Sequence, residues 1–343
     1  MRLIAGTIFL LAPLAVLAQG ERYTVPGQDV AIYNLAGKLT AVAGTGSDVL
    51  VQVTRSGSDA AKLTVENSVI RGRQSLRVIY PDTHIIYPAL GRHSTTTLDV
   101  NDDGTFGDHS YGHRVRITGD GSGLEAAADL KVSVPAGKKV RFEWGVGSVG
   151  ISNVNGDLVV DVAGSDVTTE NTKGSLSLDT GSGEVKVTKA EGRVDLDSGS
   201  GDVTINGVRG PSLNIDSGSG DVRADDVTVD VLDLDSGSGS VTIAGARVKE
   251  IKLDSGSGSV DIGLLGDVES MNLDSGSGSV TIRIPSTLGA QLDIDAGSGG
   301  VKTDMPIQVT QYESDRLVGS IGDGKGRIHI DSGSGQVRLV RNP

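Results

Sequence analysis

Carboxylates at a regular spacing are the residues of this sequence best placed to do chemistry. The string Asp-Ser-Gly-Ser-Gly begins at Asp197, Asp216, Asp235, Asp254, Asp274 and Asp331, with variants at Asp179 (Asp-Thr-Gly-Ser-Gly) and Asp295 (Asp-Ala-Gly-Ser-Gly). If each string turns a corner in a stack of coils, its carboxylate lies about 4.8 Å from the next. Two uses fit such a column. Paired carboxylates and turn carbonyls are hard oxygen ligands, so Asp197, Asp216, Asp235, Asp254 and Asp274 are candidate Ca2+ ligands between coils. Alternatively, each Asp accepts amide hydrogen bonds from its own turn and caps the corner. The Gly-Gly-x-Gly-x-Asp nonapeptide of calcium β-rolls is absent.

A second oxygen-rich segment is Asp99-Val100-Asn101-Asp102-Asp103-Gly104. Asp99, Asn101 and Asp103 stand at alternate positions before a Gly, as in the first half of a calcium loop. Ser110 occupies the position where such a loop has its bidentate Glu, and strand-like flanks replace the helices. A hairpin turn reads the same residues equally well. His84, His93, His109 and His113 fall nearby, but His109 and His113 on one strand lie roughly 13 Å apart, too far to share an ion. Gly145-Val146-Gly147-Ser148-Val149-Gly150 matches the dinucleotide fingerprint in letters only, because an alternating segment follows where a helix must open. Nucleophile-elbow, P-loop and zinc-protease patterns are absent.

The elements that position the carboxylates come from the repeat itself. Steps between successive strings from Asp179 are 18, 19, 19, 19, 20, 21 and 36 residues, and stepping back by 18 reaches Asp161 and then Glu143. Apolar residues alternate on either side of each turn, as in Leu213/Ile215 and Val222/Ala224, or Leu232/Leu234 and Val241/Ile243. Period-two alternation over four or five residues marks half-buried strands. A third apolar column is Val208, Val227, Val248 and Val268. One such period cannot bury its apolar face, but identical neighbours stacked above and below can. The pattern predicts an all-β fold: a right-handed, single-stranded parallel β-helix, or β-solenoid, of about ten coils of 18–21 residues. Gly at the corners supplies positive φ and lets adjacent turns approach closely.

Residues 19–135 lack the repeat but hold strand-like runs such as Val49–Val53 and Leu130–Val134. They predict an N-terminal β cap, which keeps an open solenoid end from pairing with other chains. The solenoid then spans 136–343, with a capping insertion at about 304–326. Residues 1–18 read as a signal peptide: Arg2, an apolar stretch from Leu3 to Leu17, and small residues before a cleavage point after Ala18. The apolar stretch is short for a bilayer span and contains Pro13.

The chain has no cysteine, which excludes disulfides, thiol catalysis, Cys-zinc centres and a lipidated Cys anchor. Its net charge is −13, and residues 143–302 hold 26 acidic against 11 basic residues. That balance repels phosphate backbones, so nucleic acid is not the expected partner.

The strand Leu130–Val134 before Pro135, the ladder of Ser-Gly-x-Val turns, and the closing segments Leu317–Gly324 and Ile328–Gly335 resemble the bacterial "putative adhesin" family of unknown function. The resemblance is strongest from Asp129 to Leu339 and is weaker around Asn34–Leu39. It implies an exported β-solenoid located in the periplasm, at the cell surface or released, and it brings no catalytic motif. The expectation is a non-enzymatic adhesin or envelope scaffold. It presents a repeated Asp/Ser/Thr surface to a cell-surface, envelope or matrix component, with Ca2+ as the candidate cofactor. The alternative is a β-helix polysaccharide lyase or hydrolase working with two carboxylates. Uniform turns and the lack of aromatic residues between Trp144 and Tyr312 disfavour a sugar-binding cleft.

Overall fold

The computed structural model describes residues 20–107 and 112–342; the proposed signal peptide and His109 lie outside them. Strands dominate. Among the described residues the helical segments are two single 3-10 turns, Ala60–Lys62 and Pro88–Leu90, and no helix is long and apolar enough to cross a membrane.

The repeat builds the central sheet by parallel pairing at constant sequence offset. Before the corner, Val160 pairs with Leu178, then Leu196, Ile215, Leu234, Leu253 and Leu273 in succession. After it, Val167, Val185, Val203, Val222, Val241, Val260 and Val280 form a second file. All of these side chains are buried, as are the third-column residues Val208, Val227, Val248 and Val268. Each contributes roughly 1.5–3 kcal/mol by leaving water. Pairing shifts from an offset of 19 at Ile243–Ile262 to 18 at Ala246–Leu264 and resumes at 20 from Glu250–Ser270, so the inward faces stay aligned.

The corners work differently from the sequence expectation in one respect. The first Ser of each string is buried, and its hydroxyl donates to the carbonyl three residues on: Ser198 to Gly201, Ser217 to Gly220 and Ser255 to Gly258, each at 3.2 Å. The glycines of the regular strings do not use positive φ. They are required by close approach, since a Cβ on Gly199 would stand 2.7 Å from the Gly181 carbonyl oxygen and one on Gly239 would overlap that of Gly220.

Parallel stacking starts before residue 136. The strand Asp29–Gly44, within the span read as a cap, pairs along its length with Lys138–Ser152, placing Val30 beside Val140 and Leu39 beside Val149. Its other edge is covered by Arg73–Ile79 and Ala127–Pro135. Thr95–Val100, His113–Thr118, His84–Ile86 and Leu124–Glu125 form a separate small sheet.

At the other end the order of the stack departs from the order of the chain. The last segment, Gly326–Ser332, pairs with Ser270–Ser275 on one side and with Ala290–Asp295 on the other. Val337–Arg341 likewise lies between Val280–Ile284 and Val301–Thr303. The intervening hairpin, Gln308–Tyr312 with Arg316–Ile321, runs antiparallel along Ala290–Asp295.

Candidate functional site

The register brings the repeated carboxylates into a single row. Asp161, Asp179, Asp197, Asp216, Asp235, Asp254 and Asp274 are paired in that order, and the row continues through Asp331 to Asp295. Asp197, Asp216, Asp235, Asp254 and Asp274 point outward, because the alternation that buries Leu196 or Leu234 exposes the residue after it. Two positions earlier, Asp195, Asn214 and Asp233 form a parallel file. Between the files runs a shallow groove of about 360 Å³ lined by Asp179, Asp195, Asp197, Asp216, Asp233 and Asp235. Partial burial, then the like charges of Asp216, Asp254 and Asp233, hold the Asp235 carboxyl above its ordinary pKa.

The capping role belongs to other residues. Within the row, Asp295 accepts an amide of its own turn, from Gly297 at 3.1 Å. Among the described residues, Asp197, Asp216, Asp235, Asp254 and Asp274 accept none; the buried Ser hydroxyls close those corners instead. A different set of Asp residues caps from one coil to the next. Asp202 accepts from the Asp221 amide at 3.0 Å, Asp221 from Ser240 at 2.8 Å and Asp166 from Glu184 at 3.0 Å. Asp157 accepts from both the hydroxyl and the amide of Ser175, which hold its carboxyl below the usual range. Gly-Asp-Val after the strings at Asp197 and Asp216 was the signal for Asp202 and Asp221 in this second column.

Asp99, Asn101 and Asp103 sit at the end of a hairpin, with Thr95–Val100 antiparallel to His113–Thr118. Their oxygens and amides face several ways. Asp99 lies 3.9 Å from Arg114, and Asn101 donates its side-chain amide to Thr105 Oγ1 at 3.0 Å. Asp103 accepts from the amide and hydroxyl of Thr105 at 3.0 and 2.7 Å. The guanidinium of buried Arg77 takes the Asp103 carbonyl. His113 pairs with Asp102 at 2.9 Å and His93 lies 3.8 Å from Asp120. Among the described residues no three carboxylates or imidazoles converge on one point. Gly145–Gly150 lies inside the strand Lys138–Ser152, where no helix opens on a phosphate.

One member of the column is unlike the rest. Glu143, paired with Asp161 in the next coil, is 2% exposed. Burial first, then the charge of Asp161, push its carboxyl up to about 8, although Arg141 donates to it at 3.0 Å. This environment favours the protonated form of Glu143. The loop at Gly107 covers its outward side, where an added Cβ would meet the Glu143 carboxyl, and the repeat carries no mark of that cover.

A repetitive, largely parallel all-β fold whose outward side chains fall into ordered rows defines the class of protein. The chain belongs to the Toastrack DUF4097 family, whose profile matches residues 127–340. A crystal structure described as that of a "putative cell adhesion protein" from Clostridium sporogenes is similar over 94% of this chain and 99% of that one, at 12% identity and a TM-score of 0.24. No curated protein matches the sequence.

Proposed function

We propose that this protein is a non-enzymatic, exported β-solenoid that acts as an adhesin or envelope scaffold. Its row of carboxylates, with the Ser and Thr residues beside it, meets a cell-surface, envelope or matrix component. The observation that carries this reading is the unbroken register from Asp161 to Asp295, which sets outward carboxylates at one-strand spacing along a rigid sheet. A repeated surface of this kind suits a repetitive partner, since each coil adds one more equivalent contact and weak contacts add up. Divalent cations such as Ca2+ belong to the proposal as counter-ions on Asp197, Asp216, Asp235, Asp254 and Asp274, where they relieve repulsion between neighbours.

The alternative polysaccharide lyase or hydrolase requires two carboxyl groups of separated pKa facing a substrate. The Glu143 carboxyl is raised, but it is closed in by Arg141, Asp161 and Gly107. That burial supports the non-enzymatic reading.

The test is binding of the chain from Gln19 to Pro343 to bacterial cells, isolated envelope polymers and matrix proteins, in EDTA and in millimolar Ca2+. Saturable binding is expected, and it falls when Asp197, Asp216, Asp235 and Asp254 are changed together to Asn. Absence of binding to every surface in both conditions overturns the proposal.

A further inference from the structure

Where the carboxylate column ends at Glu143, three strands lie side by side. Ala31 pairs with Ser75 on one side and Arg141 on the other, and Tyr33 pairs with Arg77 and Glu143. The loop running from Asn101 to Phe106 closes the far side, with Phe106 edge-on to Tyr33 at 5.7 Å between ring centroids. The half-open cavity between them, about 270 Å³, has Tyr33, Arg71, Arg73, Ser75, Arg141 and Glu143 on its walls.

Three arginines line this cavity in a chain of net charge −13. Their compensation is incomplete. Arg141 donates to Glu143 at 3.0 Å, a carboxyl that burial and Asp161 push up to about 8, and the charge of Asp161 in the next coil reaches Arg141 as well. Arg73 Nε lies 2.9 Å from Asp29 Oδ1 without the alignment of a hydrogen bond, so both buried atoms lack one. Arg71 makes no ion pair among the described residues and is held at the hairpin turn by a left-handed backbone, φ 49°. Burial and the neighbouring Glu143 keep the Tyr33 phenol neutral, available as a donor.

We propose that this cavity is a binding site for an oxyanion group, a carboxylate, sulfate or phosphate carried by a small acid or by the end of an acidic polymer. Planar guanidinium forks match the paired oxygens of such groups, and charge-assisted bonds in a partly enclosed site are stronger than at open surface. The volume admits the acidic group together with a small body attached to it. The site stands at the end of the carboxylate column, where Glu143 forms part of its wall and the carboxylates from Asp161 onward repel the same ligands.

The experiment is calorimetric titration of the chain from Gln19 to Pro343, at low ionic strength, with sodium sulfate, inorganic phosphate and galacturonate in turn. Saturable one-site binding of at least one probe is expected. Arg71→Gln weakens it about tenfold, the loss of one charge-assisted bond, and Arg73→Gln weakens it as well. Arg247→Gln, on a distant coil, leaves it unchanged. Arg71 is exposed and unpaired, so its variant keeps the fold, which an unshifted thermal melt verifies. Absence of saturable binding by all three probes, or unchanged affinity in Arg71→Gln, overturns the proposal.

Discussion

Leu273 and Ile330 are partners across a parallel strand pair although 57 positions separate them in the chain, where other coils pair at offsets of 18 to 20. The segment carrying Ile330 occupies a layer that sequence order assigns to Ala290–Asp295. Truncation before Gly326 therefore empties an internal layer. It removes the buried side chains Ile328, Ile330, Val337 and Leu339, a loss on the order of 6–12 kcal/mol by area alone. A chain ending at Lys325 is expected to melt far below the full protein and to be cut by protease between residues 285 and 325. Resistance equal to that of the full chain contradicts the out-of-order layer.

The corner hydrogen bonds predict a graded response. Ser236, fully buried, donates to the Gly239 carbonyl at 3.1 Å, so Ser236→Ala costs about 1 kcal/mol in a denaturant titration. Ser238 is exposed, and Ser238→Ala is expected to change nothing. Gly239→Ala drives a Cβ into the Gly220 carbonyl and is the most damaging of the three.

Glu143 links stability to pH in an unusual direction for a carboxyl group. Its folded pKa, raised from 4.5 to about 8, means that the folded state retains a proton the unfolded state releases. Stability from this group is fully present below pH 4.5 and declines as pH rises towards 8. Groups held low, such as Asp157, act oppositely and only in acid. Melting temperatures of the wild type at pH 5 and pH 8.5 are expected to differ, and Glu143→Gln is expected to remove most of that difference. An equal pH dependence in the variant locates the effect elsewhere.

Repulsion along the carboxylate row gives a salt-dependent prediction. Besides burial, Asp216 and Asp254 raise the Asp235 carboxyl, so Asp235→Asn raises the melting temperature at low ionic strength. The gain shrinks in 1 M salt, where the Debye length is about 3 Å. Millimolar Ca2+ is expected to stabilise the wild type and not the variant with Asp197, Asp216, Asp235 and Asp254 all changed to Asn. A melt insensitive to calcium leaves the row as a bare carboxylate surface.

The parallel core was legible in the sequence because burial follows period two so closely: Leu213/Ile215, Leu232/Leu234 and their neighbours are inward in the structure as in the pattern. Four things were not. At the regular corners the first Ser, and not the Asp, bonds the turn, since both can do so and only burial decides between them. The layer of Asp29–Gly44 carries Tyr33 and Asn34 in place of repeat residues, and Asn34 is fully buried with its amide donating to Ala128 O at 2.8 Å. The order of the last layers was hidden because Asp-Ser-Gly-Ser-Gly at Asp331 bears no mark of which neighbour it prefers. The arginine cavity draws Arg71, Arg73 and Arg141 from strands that only the tertiary register brings together.

The close glycine corners and the interchangeable inward files also make this molecule a ruler. Between Gly156 and Leu264 each coil pairs only with the one before and the one after it. A duplicated 19-residue unit inserted there finds its own mould in either neighbour. It lengthens the molecule by about 4.8 Å and adds one carboxylate to its scale, while both closed ends stay as they are.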